Sequence, residues 1–174
     1  MCILTRDEIL LAVERGEIRI DPFDPDKVGP ASVDLHLGRS FRIFEPARKI
    51  VRIDGTSDYR DLSEKVTVPE HETMLLMPGE TVLGLTHERV SLPPSLCGWL
   101  EGRSRFARVG LLVHISASFM QPGIHNHQVL EMTNFGPNPL ELVPGIPICQ
   151  FIFQRTVGQA VYRGTWADQS SDDW

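Results

Sequence analysis

Between residues 33 and 153, apolar side chains return at every second position in one short run after another, and most runs stop at a Pro-Gly or Asn signal. That alternation is the period of a strand with one buried face, and it limits what this chain can become more than any other feature. Val33, Leu35 and Leu37 alternate with Asp34 and His36. Further candidate strands fall at 41–44, 66–68, 73–77, 81–85, 111–115, 128–133, 140–142 and 148–153. Pro78-Gly79, Pro122-Gly123, Gly136-Pro137 and Pro144-Gly145 punctuate them. Many short strands with such turns predict a mainly β protein, a sandwich or jelly-roll-like barrel. One helix precedes them: Thr5 and Glu8 have capping-box spacing, and Ile9, Leu10, Ala12 and Val13 follow before Gly16. The expected layout is one domain over residues 1–167. An acidic tail over 168–174 follows, mobile and too poor in apolar residues to anchor itself.

Composition narrows the function classes. A chain of 174 residues with 41% apolar content can bury a core without disulfides or a structural metal. A net charge of −6 argues against broad binding to nucleic acid or an acidic membrane surface. Cys2, Cys97 and Cys149 are odd in number and have no paired spacing, as expected in a reducing compartment. No segment has the length of apolar chain needed to span a bilayer, and no signal-peptide pattern opens the sequence. The expectation is a soluble, cytoplasmic protein.

Two segments carry chemistry. Residues 101–108, reading EGRSRFAR, place three guanidinium groups and a hydroxyl in an otherwise acidic chain, a set suited to phosphate oxygens. A solvated helix start with surface ion pairs is the plain alternative. In the strand at 128–133, period 2 puts Glu131 on the face of Val129, and the apolar neighbours suggest that this face is inward. A buried carboxylate there would resist ionising and suit proton transfer, whereas an edge-strand glutamate paired to an arginine is the plain alternative. His71, His87, His114, His125 and His127 could in principle ligate a metal. The zinc deaminase pattern of H-x-E with a later P-C-x-x-C is nevertheless missing, as are a P-loop, a nucleophile elbow and a Rossmann fingerprint.

Residues 18–38, reading IRIDPFDPDKVGPASVDLHLG, resemble the N-terminal signature of dCTP deaminases, within the dCTP deaminase and dUTP diphosphatase superfamily. GRSRFARVGLLVH, Gln121-Pro122-Gly123, VLEMTN, PGIPICQFIF and Tyr162-x-Gly164 follow in that family's order. The resemblance implies a distorted jelly-roll of the trimeric dUTPase-like type and a homotrimer with active sites between subunits. It implies dCTP as substrate, with dUTP and dTTP as related ligands, magnesium carried on the triphosphate and no zinc. By position, Glu131 matches the general base, Ser104 and the Ala117 carbonyl match the groups holding the attacking water, and Arg108 matches the arginine supporting the base. Arg103, Ser104 and Arg105 fall at the triphosphate stretch, and Val129 and Leu130 at the backbone that meets the cytosine edge. Gln121, Gln150, Tyr162, Thr165 and Gln169 match pocket or tail positions. His114-Ile115 lies where relatives switch under dTTP feedback.

The sequence departs from the family in four places. Gln121 replaces the aspartate usual before Pro-Gly, and a carboxamide cannot act as a carboxylate base. Arg105 stands for a serine, Thr165 for a tail lysine, and Ile124 for an aromatic residue. Gln121 ranks deamination to dUTP and ammonia ahead of diphosphatase chemistry. A bifunctional enzyme yielding dUMP and pyrophosphate, or a deoxynucleotide-binding regulator without turnover, are the alternatives.

Overall fold

In a computed structural model, which describes residues 2–44, 50–54, 57–114, 116–164, 166–167 and 174, the alternating runs pair into one curled antiparallel sheet. The elements in chain order are α1 (Arg6–Glu14), β1 (Arg19–Asp21), β2 (Val33–Phe44), β3 (Ser63–Thr67), β4 (Met74–Leu76), β5 (Thr81–Ser91) and β6 (Leu96–Gly102). They continue with α2 (Ser104–Ala107), β7 (Leu111–Val113), β8 (Phe119–Met120), β9 (His125–Asn134), β10 (Leu140–Leu142) and β11 (Pro147–Arg155). The sheet runs β7-β9-β5-β2-β11-β6-β8, with β1 also on β5 and β3 also on β2, while β4 and β10 form a separate pair. Leu35, Leu37, Phe41, Leu100, Leu130, Met132, Phe151 and Phe153 fill the interior, as period 2 requires of a sheet curled around one core.

Two expected strands, 33–37 and 41–44, are one. β2 continues through Gly38, and the break marks an irregularity: the step from Leu37 to Phe41 is matched by the shorter step from Thr86 to Gly84 on β5. β5 repeats the device against β9, where Leu85 to Arg89 spans only Val129 to His127. Such bulges bend a strand and let β5 curl across the barrel. β6 was missed because its sequence does not alternate. It is buried at Leu96, Cys97, Gly98 and Leu100, and a Cβ on Gly98 would sit 2.2 Å from the Phe151 ring. Glycine is the residue that lets these strands pack there.

Two other expectations change. Thr5 is the N-cap of α1, but its side chain makes no capping bond, so the capping box does not form. Ile9 and Ala12 bury the helix's inner face. The tail expectation falls largely on 168–173, outside the described residues, yet Trp174 is 1% exposed. Its indole packs on Leu83 and Leu85, its Nε1 donates to Ser40 Oγ at 3.1 Å, and Arg42 Nη2 donates to its main-chain oxygen at 2.9 Å. A single large aromatic thus supplies the anchor that counting apolar residues had ruled out. All three cysteines are free, and burial pushes the Cys97 and Cys149 thiols up. Among the described residues no helix is long and apolar enough to cross a membrane.

The bulge in β5 carries Glu88, a carboxylate only 4% exposed. One oxygen accepts from the His36 main-chain N–H at 2.8 Å and the other lies 2.5 Å from His36 Nδ1. Glu88→Ala strands that backbone donor inside the β2–β5 junction. We expect a loss of about 1–3 kcal/mol, read as a lower urea midpoint, with Glu88→Gln losing less because it keeps an acceptor.

Candidate active site

β9 has ten residues and β7 only three, so the β7 ladder pairs just Asn134, Thr133 and Met132. One more bond, from His114 N–H to Glu131 O at 2.9 Å, closes the pairing. Towards Val129 that edge of β9 has no neighbouring strand among the described residues. Because Glu131 turns its carbonyl to this edge, Val129 two residues earlier turns its N–H and C=O the same way, a donor and an acceptor side by side. Leu130 turns its main chain towards Gly84 on β5 and its side chain into the core, so of the two expected base-reading residues only Val129 faces the open edge.

A cavity of about 580 Å³ covers this edge. Glu131 lines it with Ala117, Gln121, Val129 and Tyr162, which brings together five of the residues singled out by sequence. The expected inward burial of Glu131 is corrected. Leu130 and Met132 take the core-facing phase of β9, and Glu131 and Val129 take the opposite one, leaving the Glu131 side chain 39% exposed in the cavity. Aromatic walls come from Phe44, Tyr59, Phe119, Tyr162 and Trp166. The Tyr59 and Trp166 rings meet at 5.7 Å where two distant segments converge. Beside them, side-chain and backbone bonds from Arg60 hold the exposed Asp58 carboxyl down at about 2.

His114, expected as part of a switching segment and as a possible metal ligand, lies against both Glu131 and Ala117. It is 5% exposed and adopts a left-handed backbone, φ 55°. Nε2 lies 3.0 Å from the Ala117 carbonyl, which can only accept, so that nitrogen carries the hydrogen. Nδ1 lies 2.7 Å from Glu131 Oε2, and neither atom has another hydrogen-bond partner. The imidazole therefore ties together the two groups that resemblance assigned to the attacking water.

Among the polar lining residues, Asn126 and Gln128 were not singled out from sequence, and His127 was named only as a possible metal ligand. A usable signal existed: in the phase Asn126, Gln128, Leu130, Met132, polar residues hold two core-facing positions. His127 Nδ1 donates to Thr86 O at 3.0 Å, and burial is the main cause holding its pKa below the usual value. His125 instead meets Ser91 Oγ.

The cationic cluster lies elsewhere. Ser104, Arg105 and Arg108 are exposed on and beside the single turn α2, off the cavity. Arg103 pairs with Asp34, and Gln150 accepts from Ser32 Oγ at 2.9 Å, so neither lines the cavity. No Lys or Arg is among the described lining residues. Thr165, Gln169 and Ile115 lie outside the described residues.

The family model described as dCTP deaminase-like matches residues 3–156. A protein of Nocardioides sp. named dCTP deaminase, dUMP-forming, is 40% identical over 153 residues, covering 88% of this chain and 80% of its own. A protein of Kocuria rhizophila with the same name is 41% identical over 153 residues, covering 88% and 79%. The crystal structure of a 2'-deoxycytidine 5'-triphosphate deaminase from Agrobacterium tumefaciens superposes with a TM-score of 0.68 at 19% identity. The match covers 88% of this chain but only 48% of that one, and shows a shared fold.

Proposed function

The chain belongs to the dCTP deaminase-like family, and from that premise we propose that it deaminates dCTP hydrolytically at the Glu131 cavity and releases dUMP and pyrophosphate. The observation that carries the reading is one carboxylate, Glu131, set in a cavity of nucleoside size beside the open main-chain edge of Val129. Val129 C=O and N–H suit the amino group and the acceptors of a cytosine edge. In the first step water adds to C4 as Glu131 takes its proton. Glu131 returns that proton to N3, and a second transfer accompanies loss of ammonia, so that dCTP and water give dUTP and ammonia; a second water then adds at the α-phosphorus and the α–β anhydride bond breaks, giving dUMP and pyrophosphate. Ala117 O holds the first water when His114 releases it.

The triphosphate needs cations, and the described lining residues hold no Lys or Arg. The exposed Arg105 and Arg108 supply them, with the Ser104 hydroxyl as a neutral phosphate donor beside them, if the α2 turn of a second copy faces the cavity, as in a homotrimer with shared sites. Magnesium arrives as part of the substrate, on the phosphates. The dUMP product rests on the name given to the relatives at about 40% identity. A second reading, arrest at dUTP, is favoured by Gln121, since Glu131 is the one carboxylate among the described lining residues and is already committed to the base.

The test is incubation of purified protein with dCTP and magnesium, following ammonia, dUTP, dUMP and pyrophosphate together. Ammonia, dUMP and pyrophosphate in equal amounts are expected. Accumulating dUTP without pyrophosphate would select the second reading, and unchanged dCTP would remove both.

A further inference from the structure

Gln128 is 3% exposed, occupies a core-facing position of β9, and yet lines the cavity together with Asn126. The hydrogen bonds around this pair define which way each amide points. Asn126 Nδ2 lies 2.7 Å from the Trp166 carbonyl, which can only accept, so Asn126 Oδ1 is free to accept. Gln128 Nε2 donates to that Oδ1 at 2.7 Å and to the Asn126 main-chain carbonyl at 3.2 Å. Turning the Gln128 amide over would set its oxygen against two acceptors. Both N–H groups of Gln128 are therefore spent, and Oε1 remains as an acceptor without a protein partner among the described residues. Gln128 Oε1 is not one of the fully enclosed unpartnered atoms, so it is reached from the cavity, where its lone pairs are available to a donor on the cavity's occupant.

Resting on the nucleotide reading above, we infer that Gln128 is a specificity-determining residue whose Oε1 accepts a hydrogen bond from the sugar 3'-hydroxyl of the bound nucleotide. Three residues separate Gln128 from Glu131, about 10 Å along the strand, and the two side chains leave opposite faces. With the reacting base carbon at Glu131, the group reaching Gln128 belongs to the pentose rather than to the base. A deoxyribonucleoside 5'-triphosphate has one hydroxyl on that pentose. Gln121, also on the cavity wall, carries amide N–H groups that complement this arrangement, donating to the hydroxyl oxygen whose hydrogen Gln128 receives.

The experiment compares dCTP with 2',3'-dideoxycytidine triphosphate by calorimetric titration of the full chain in the Glu131→Gln background, where turnover does not interfere. The otherwise unaltered protein is expected to bind the dideoxy compound about tenfold more weakly. In Gln128→Leu the two affinities should come within about twofold, and Gln128→Asn, which withdraws the oxygen but keeps an amide for Asn126, should behave alike if the leucine variant does not fold. Equal affinity for both compounds in the unaltered site would overturn the inference. So would a full tenfold preference surviving in the Gln128 variants. Failure to bind either triphosphate would remove the nucleotide reading itself and this inference with it.

Discussion

Glu131→Gln is expected to lower ammonia release from dCTP by about 10²–10⁴-fold while the triphosphate still binds. The substitution keeps the shape of the side chain and its place in the Leu83–Glu131 register pair, so the cavity should survive. A carboxamide has no proton to shuttle and cannot take one from water. The change also alters the contact with His114. Its Nδ1, 2.7 Å from Oε2, then meets an amide of the same shape. Stability should therefore stay close to that of the parent. Steady-state assay of ammonia with calorimetric titration of dCTP separates the two effects. Retained turnover above a tenth of the parent value would move the proton-transferring role away from Glu131, and loss of binding together with turnover would make Glu131 a binding group instead.

Much of this architecture is legible in the sequence because half-buried strands announce themselves by period. Val33 to Leu37 and Gln128 to Thr133 obey it, and both lie in observed strands. The period fails where both faces of a strand are covered, as in β6 with Gly98 beneath Phe151 and in β5 from Val82 to Thr86, and where a bulge interrupts it, as between Leu37 and Phe41. At the site, period 2 put Glu131 and Val129 on one face correctly but could not say what lies over that face. The inward assignment failed because the cavity, and not the core, covers it. His114 could not be linked to Glu131 from spacing, since their contact depends on where the short β7 stops along β9. Trp174 shows the same limit at the tail: its slot is assembled from β2 and β5, far from it in sequence.

Mixed assemblies of Glu131→Gln and Arg108→Ala chains are expected to recover activity that neither variant has alone. Within one chain the carboxylate and the cations are separated, Glu131 in the cavity and Ser104, Arg105 and Arg108 exposed beside α2. A triphosphate lying against Glu131 then has to draw its counter-charge from a neighbouring copy. In a cyclic assembly with heterologous contacts, each site takes Glu131 from one protomer and Arg108 from the next. Double purification keeps only trimers that hold both variants, and around each such ring one junction sets an intact Glu131 against an intact Arg108, so about one third of sites are whole. Co-expression with two different affinity tags, double purification and ammonia assay per protomer would read this fraction. Homomers of each variant should stay near background. Mixed assemblies at background too would mean that both residues serve the same chain's site, which would require α2 to swing onto its own cavity, and the shared-site arrangement would then be discarded.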